Sequence, residues 1–277
     1  MKTLVGKHGY LFLQNDEGKE LDIHCNNESR IFDPSLTRYT FPNYHLFVYP
    51  DKSILYRQFL PKAYQANYRP ALDVYKNHFK DRCVDLYVLL APHDAYYKTD
   101  THINGKGSYL VYKHFLDYLR HLELDPPEKK LELVPQACVL QTLPYALGDL
   151  TWQSNLGNVT LNDRMDIFYM NEAMLFSCHY KIQSDAPVRF LNEALQDVTA
   201  TLEGQVVVWD IISTHIIHVQ NPGPRILIFY DSFLLQSLAL YFDLFDIYFV
   251  KAVYSNEIIK NIQPDYVFEF RIERFLF

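Results

Sequence analysis

Residues 225–235 read RILIFYDSFLL: an apolar run, ILIFY (226–230), passes without a linker into Asp231-Ser232-Phe233 and then a helical pattern. A short apolar run of β-branched and aromatic residues bounded by turn signals is a buried strand. A buried strand that feeds straight into a helix belongs to a layered α/β domain. The junction constrains chemistry as well as fold. It exposes the Ser232 hydroxyl at a strand-to-helix turn, with the first helical amides aimed at whatever is bonded to its oxygen.

The rest of the chain repeats this alternation. HLFVY (45–49) reads as a strand, and residues 62–79 as largely helical. VDLYVLL (84–90) is apolar throughout and fits either a buried strand or a short helix. Leu110, Phe115, Leu119 and Leu122 fall at helical spacing across 108–122, with Asn104 and Gly105 available to start that helix and DPPEKK (125–130) to end it. VVVWD (206–210) and ILIFY (226–230) are strands separated by an NPGP turn (221–224). A helix is expected over 232–245, then strands at IYFV (247–250) and YVFEFRI (266–272). Strands alternating with helices imply a mostly parallel sheet covered on both faces. The stretch 151–205 is less regular and reads as an insertion or lid; with no internal repeat or low-complexity linker, one domain over 1–277 is expected.

At 277 residues and 49% hydrophobic content the chain can bury a large core. A net charge of −7 without a lysine/arginine cluster argues against nucleic-acid binding. No apolar run nears the roughly 20 residues that cross a bilayer, so no transmembrane segment is expected. The start, MKTLVGKHGYLFLQND, lacks a signal-peptide profile, which favours the cytoplasm; an export signal lying outside this sequence would instead imply the periplasm or exterior. Cys25, Cys83, Cys138 and Cys178 are scattered and read as buried thiols. The aromatic content of 16% reads chiefly as core packing and compositional bias, although tyrosines lining a groove would suit sugar rings.

A second stretch, YKTDTHINGKG (97–107), sets Asp100 two residues before His102. A serine nucleophile needs a base for its proton, and the base needs a carboxylate to orient it. Asp100, His102 and Ser232 supply those parts. Each motif alone fits a surface turn and a hydrogen-bonded histidine better than it fits a catalytic site.

Six segments in order carry a resemblance to a known family. VGKHGYLFL (5–13), FVYPDKSILY (47–56), YKTDTHINGKG (97–107), GDL (148–150), ILIFYDSF (226–233) and PDYVFEFRIERFL (264–276) resemble, respectively, the "GKDGWLFL", "PdKxxIY", "DTHW", "GDL", "GDSF" and "PDvVxxExxER" elements of the SGNH-hydrolase-like polysaccharide O-acetyltransferases typified by the alginate acetylation proteins. The resemblance implies a three-layer α/β/α fold in which the Asp-His pair precedes the serine. It implies Ser232 as nucleophile, His102 as general acid/base and Asp100 as orienting carboxylate. Asp231 would support the turn. Asn104 is a candidate oxyanion donor or helix cap, and Arg274 a structural partner of Glu273 or a substrate contact. Lys52 and Tyr56 read as structural, and Gly6 and Gly9 as turn residues. Two departures are Tyr230, where a glycine often precedes the Asp-Ser pair, and Ile103, where a tryptophan often follows the histidine.

The implied chemistry is transfer of an acetyl group to a hydroxyl of a bacterial surface or exopolysaccharide sugar, with a carbohydrate O-acetylesterase or an inactive sugar-binding subunit as alternatives. No tightly bound cofactor and no metal are expected. An acetyl donor is required, either acetyl-CoA, for which no glycine-rich pyrophosphate loop is evident, or an acetyl group delivered by a membrane-bound O-acyltransferase or other polysaccharide-assembly partner. His215 and His218, three apart, would face opposite sides of a strand and so make a poor metal pair; His93 reads as a loop histidine.

Overall fold

A computed structural model describes residues 2–14, 19–26, 36–127, 131–134, 149–151, 167–170, 173–175, 187–199, 213–235 and 237–276. Twelve strands are described: β1 (Lys2–Val5), β2 (Leu11–Gln14), β3 (Tyr44–Tyr49), β4 (Cys83–Asp85), β5 (Leu131–Val134), β6 (Ile167–Met170), β7 (Ala173–Leu175), β8 (Val188–Leu191), β9 (Ile216–Val219), β10 (Arg225–Tyr230), β11 (Asp246–Val250) and β12 (Tyr266–Ile272). The helices that matter below are α1 (Glu20–Asn26), α2 (Lys52–Leu55), α3 (Pro70–Phe79), α4 (Tyr87–Leu90), α5 (Gly105–His121), α6 (Ser232–Leu235) and α7 (Asn256–Ile262).

The architecture is mixed α/β around a seven-stranded sheet of order β4-β3-β12-β10-β11-β9-β8. β4, β3, β12, β10 and β11 run parallel, and β9 and β8 close one edge antiparallel. Its central strands are buried along nearly their whole length, as expected of a sheet covered on both faces. Alternate residues of each strand enter different cores. Phe47, Tyr49, Ile226, Ile228, Tyr230, Phe268 and Phe270 pack with Val111, Phe115 and Leu119 of α5. Leu46, Val48, Leu227, Phe229 and Val267 pack with Leu72, Tyr75 and Phe79 of α3 and Ile259 and Ile262 of α7. Helices therefore cover both faces, as the alternating pattern predicts. A β1–β2 hairpin and a three-stranded sheet β5-β6-β7 stand apart from the main ladder.

Several expectations need redrawing. The helix expected over 62–79 begins only at Pro70, which occupies its first turn, where a missing N–H costs nothing. VDLYVLL splits into the end of β4 and the whole of α4. The helix expected over 232–245 is one turn, α6, followed by a 3₁₀ turn over Leu238–Tyr241. Phe233, Leu234, Leu235, Leu238, Leu240, Tyr241, Phe242, Leu244 and Phe245 are all buried. With so many apolar side chains to bury, the segment folds into the core as a plug rather than lying on it as a surface helix. VVVWD lies outside the described residues. Within 151–205, the described residues include β6, β7 and the edge strand β8. Among the described residues no helix is long and apolar enough to cross a membrane. Cys25 and Cys83 are free thiols; Cys138 and Cys178 lie outside the described residues.

Gly107, in the first turn of α5, is where two segments touch. A Cβ there would lie 2.4 Å from the Ala95 carbonyl oxygen and 2.5 Å from Ile103 Cγ1. Gly107→Ala is expected to force the loop before α5 outward and to destabilise the protein by about 1–3 kcal/mol, measured as a shift in the urea midpoint.

Candidate active site

The parallel strands end on one side of the sheet, and their connections diverge there. From β3 the chain leads outward to β4, whereas from β10 it leads the opposite way to β11, with β12 between. Such a divergence opens a crevice at the carboxyl ends of the strands. Asp51 and Lys52 follow β3, Asp231 and Ser232 follow β10, and Glu273 and Arg274 follow β12.

Ser232 heads α6 immediately beyond β10. Its Oγ lies 2.9 Å from His102 Nε2, and His102 Nδ1 lies 2.6 Å from Asp100 Oδ1. Asp100 Oδ1 also accepts the His102 amide at 2.8 Å. The three residues sharing this relay come from segments 130 positions apart. Asp231 Oδ1 accepts the Phe233 amide at 2.9 Å and Oδ2 the Ile272 amide at 2.6 Å, which clamps the turn to β12. Tyr230 fits without a glycine's freedom because its backbone continues β10 and its ring is buried in the α5-side core. Ile103 is fully buried beside Gly107, so it is an internal packing residue. Asn104 caps α5: Oδ1 accepts the Gly107 amide at 2.9 Å, and Nδ2 donates to the Asp94 carbonyl at 2.8 Å.

The Asp-Thr-His segment is pinned from four directions. The Lys98 carbonyl accepts from the Leu11 amide and from Lys52 Nζ, both at 2.8 Å. The Thr99 carbonyl accepts from the Leu150 amide at 3.2 Å, and the Asp100 carbonyl from Lys52 Nζ at 3.0 Å. Tyr56 Oη accepts the Ala95 and Tyr96 amides at 2.7 and 3.2 Å. Asp149 receives the Thr101 amide at 2.9 Å and the Thr101 hydroxyl at 2.7 Å, while its own amide donates to Asp100 Oδ2 at 2.9 Å. The VGKHGYLFL, PDKSILY and GDL elements therefore each hold this loop. Sequence reasoning overlooked Asp149: GDL marked the segment, but nothing in its spacing says which loop it grips.

Beneath the relay lies a buried charge cluster. Arg274 binds Asp51 and approaches Glu20 to 3.5 Å. His24 Nε2 is 2.9 Å from Asp51 Oδ2, and the Ser53 amide donates to Glu20 at 3.0 Å. Glu273 pairs with Arg69 at 2.7 Å rather than with its neighbour Arg274, and Arg69 grips Asp85 through two bonds. The Arg274 guanidinium lies 5.5 Å from the centre of Phe233, whose ring is 5.0 Å from that of His102.

Electrostatics follow from these contacts. Burial pushes the Asp100 carboxyl up, but hydrogen bonds and charge from His102, with the Asp149 and His102 amides, outweigh it and hold it at about 2. Burial lowers His102, yet Asp100's hydrogen bond and charge and Asp149's charge leave it above the ordinary histidine value, against opposition from Arg274. Burial and then the charge of Asp51 raise Glu20 to about 7, and burial raises Glu273 to about 7. His24, lowered by burial but bound to Asp51, is pushed up to about 9.

Asp100, His102 and Asp149 bring possible metal-ligand atoms within 4.8 Å of one another. Each is already engaged, by His102, by Ser232 and Asp100, and by Thr101 respectively. His218 packs on Tyr248 and bonds Asp246 at 2.7 Å, His215 Nδ1 is 2.9 Å from the Thr214 hydroxyl, and His93 is tied through its backbone to Leu90 and Tyr56.

No protein-family model and no curated protein sequence matches the chain. Solved structures do match its fold. A DHHW family protein from Eubacterium siraeum aligns with TM-score 0.58 and 16% identity, covering 99% of this chain and 94% of that one. PatB1 of Bacillus cereus aligns with TM-score 0.58 and 13% identity over 99% and 96% of the two chains. The O-acetyltransferase domain of Pseudomonas putida AlgJ aligns with TM-score 0.55 and 14% identity over 99% and 92%.

Two outcomes follow for stability. Glu20, Glu273 and His24 all bind a proton more tightly folded than unfolded, so the stability each lends is complete below its ordinary value. It fades as pH rises through about 7 for the glutamates and about 9 for His24. Urea unfolding across pH 5 to 10 should show that decline, and His24→Gln should remove its alkaline part. Lys52→Met should cost about 2–3 kcal/mol, because two carbonyls lose a charged buried donor. It should also lower activity more than its effect on the folded fraction explains, which separates loop placement from global stability.

Proposed function

We propose that this chain is a serine-dependent O-acetyltransferase of the SGNH type, which moves an acetyl group to a hydroxyl of a bacterial surface polysaccharide or exopolysaccharide through an acetyl-serine intermediate. The observation that carries this reading is the relay from Ser232 through His102 to Asp100, at 2.9 and 2.6 Å, in the crevice where the strand connections diverge. The likeness of fold to an O-acetyltransferase domain, and to PatB1, whose structure has also been solved with a sulfonyl adduct, supports it.

In this reading Ser232 Oγ gives its proton to His102 Nε2 and attacks the acetyl carbonyl carbon. The amide of Ser232, at the head of α6, faces the developing oxyanion; the Phe233 amide is committed to Asp231. Collapse breaks the bond to the donor's leaving group, which takes the proton from His102. A sugar hydroxyl then gives its proton to His102 and attacks the acetyl-serine, and Ser232 leaves with that proton. Asp100, held near 2, stays ionised and stabilises the imidazolium at both stages. The donor is acetyl-CoA or an acetyl group handed on by a membrane-bound O-acyltransferase. Transfer requires water to be held off while the acetyl-serine waits for its acceptor. Partial exposure of His102 and Asp100, 19% and 18%, keeps the carbohydrate O-acetylesterase as the second reading, with water as acceptor at the same serine.

Intact mass spectrometry with p-nitrophenyl acetate should show an acetyl adduct on the wild type and none on Ser232→Ala; wild-type turnover by Ser232→Ala sinks the mechanism. His102→Ala should abolish turnover, and Asp100→Asn should lower it by about 10⁴-fold. Faster discharge of the adduct by a glycan than by water identifies the transferase; no glycan effect identifies the esterase. Because His102 must be neutral to accept the proton, activity should fall as pH drops through a value above the ordinary 6.5 of histidine.

A further inference from the structure

The relay leaves a second carboxylate unused. Asp149 arrives from a separate segment, its Oδ2 standing 3.9 Å from His102 Nδ1 and its side chain 29% exposed. Thr101 lies between them: its hydroxyl is 2.7 Å from Asp149 Oδ2 and 3.3 Å from His102 Nδ1. A carboxylate can only accept, so the Thr101 hydroxyl proton goes to Asp149. The hydroxyl then has only lone pairs to turn toward the imidazole. Asp100 also presents an acceptor to Nδ1, at 2.6 Å. Both neighbours of Nδ1 are therefore acceptors, and the ring proton must sit on Nδ1, which leaves the Nε2 lone pair facing Ser232. The Asp149 amide completes the arrangement by donating to Asp100 Oδ2 at 2.9 Å, so one residue holds both the carboxylate and the hydroxyl that flank the ring.

We infer that Asp149 is a positioning residue of this site, which fixes the proton-accepting tautomer of His102 through Thr101 and adds a second negative charge beside the ring. The inference rests on the serine relay proposed above and assigns Asp149 a part in it. The charged groups that face His102 are Asp100 and Asp149, which favour its protonation, and Arg274 across Phe233, which opposes it. Removing Asp149's charge while keeping its shape leaves Asp100 and Arg274 to set the ring's basicity. With an amide in place of the carboxylate, the Thr101 hydroxyl can donate toward Nδ1 and compete with the productive tautomer.

The test is Asp149→Asn with Asp149→Ala and Thr101→Val beside it. Asp149→Asn should lower kcat about ten- to a hundredfold with p-nitrophenyl acetate, less than the loss of the base itself, leave KM unchanged, and move the acid limb of the pH profile to lower pH. Thr101→Val keeps Asp149's charge but removes the bridge, so kcat should fall with a smaller displacement of that limb. Nuclear magnetic resonance titration of the His102 ring, without any substrate, should show the same displacement in Asp149→Asn and the Nδ1–H tautomer in the wild type. A folded Asp149→Asn protein with a wild-type pH profile and His102 titration overturns the inference even if Ser232→Ala is inactive. Turnover by Ser232→Ala overturns the serine mechanism instead, while the ring titration still reports on Asp149. If Asp149→Ala fails to fold, the isosteric asparagine variant carries the test alone.

Discussion

The contact on which the site's geometry rests is the buried ion pair between Arg274, at the end of β12, and Asp51, at the end of β3. Glu20 and His24 of α1 join it, so three elements distant in sequence meet in one cluster. Such a pair is poor evidence for stability, because desolvating both ions offsets most of their attraction. Its effect is positional. An uncompensated charge at this depth is expensive, so the alternatives in which α1 or α2 drifts from the strand ends are disfavoured together. Phe233 lies over Arg274 and packs on His102, and the cluster therefore forms the floor beneath the imidazole.

A second layer of control is local backbone. The carbonyls of Lys98, Thr99 and Asp100 are consecutive, and each has a donor from another segment. A surface loop ordinarily carries much conformational freedom, and here backbone hydrogen bonding removes it. The β1–β2 hairpin takes its place in the molecule through this role, since the Leu11 amide is one of those donors.

Much of this was legible in the sequence and some was not. The strands of the central sheet announce themselves because burial on both faces favours apolar runs, as in ILIFY; YVFEFRI departs from that only at Glu269 and Arg271, which are buried as an ion pair. The α5 helix is equally plain, since one face of 105–121 is buried and the other wet. The segment after Ser232 misled because a largely apolar stretch satisfies a helical period whatever its conformation, and only tertiary packing decided that it would fold as a plug. The Asp100–His102–Ser232 set emerged from chemistry and resemblance together. Arg274's partners did not, because adjacency in sequence pointed to Glu273, whereas successive side chains at a strand's end diverge and Glu273 turned to Arg69. Asp149 was hidden for a related reason: its grip on Thr101 spans 48 residues, and no local pattern encodes it.

The position of β12 has a consequence for how the molecule comes into being. In chain order it follows every other strand described, yet it lies between β3 and β10, with the β3 pairing bridging more than 200 residues. During synthesis the two flanking halves of the sheet have no ladder between them until residues 266–272 have been made. Loop-closure entropy is then met in a single late step, and the nascent chain carries two unpaired strand edges until that moment. Ser232 and His102 are both translated well before it, but the Ile272 amide that clamps Asp231 and the arginine beneath Phe233 arrive with it. The ribosome must therefore pass residues 266–272 before Ser232 and His102 can be fixed 2.9 Å apart, so the arrangement of the candidate site is a late product of synthesis.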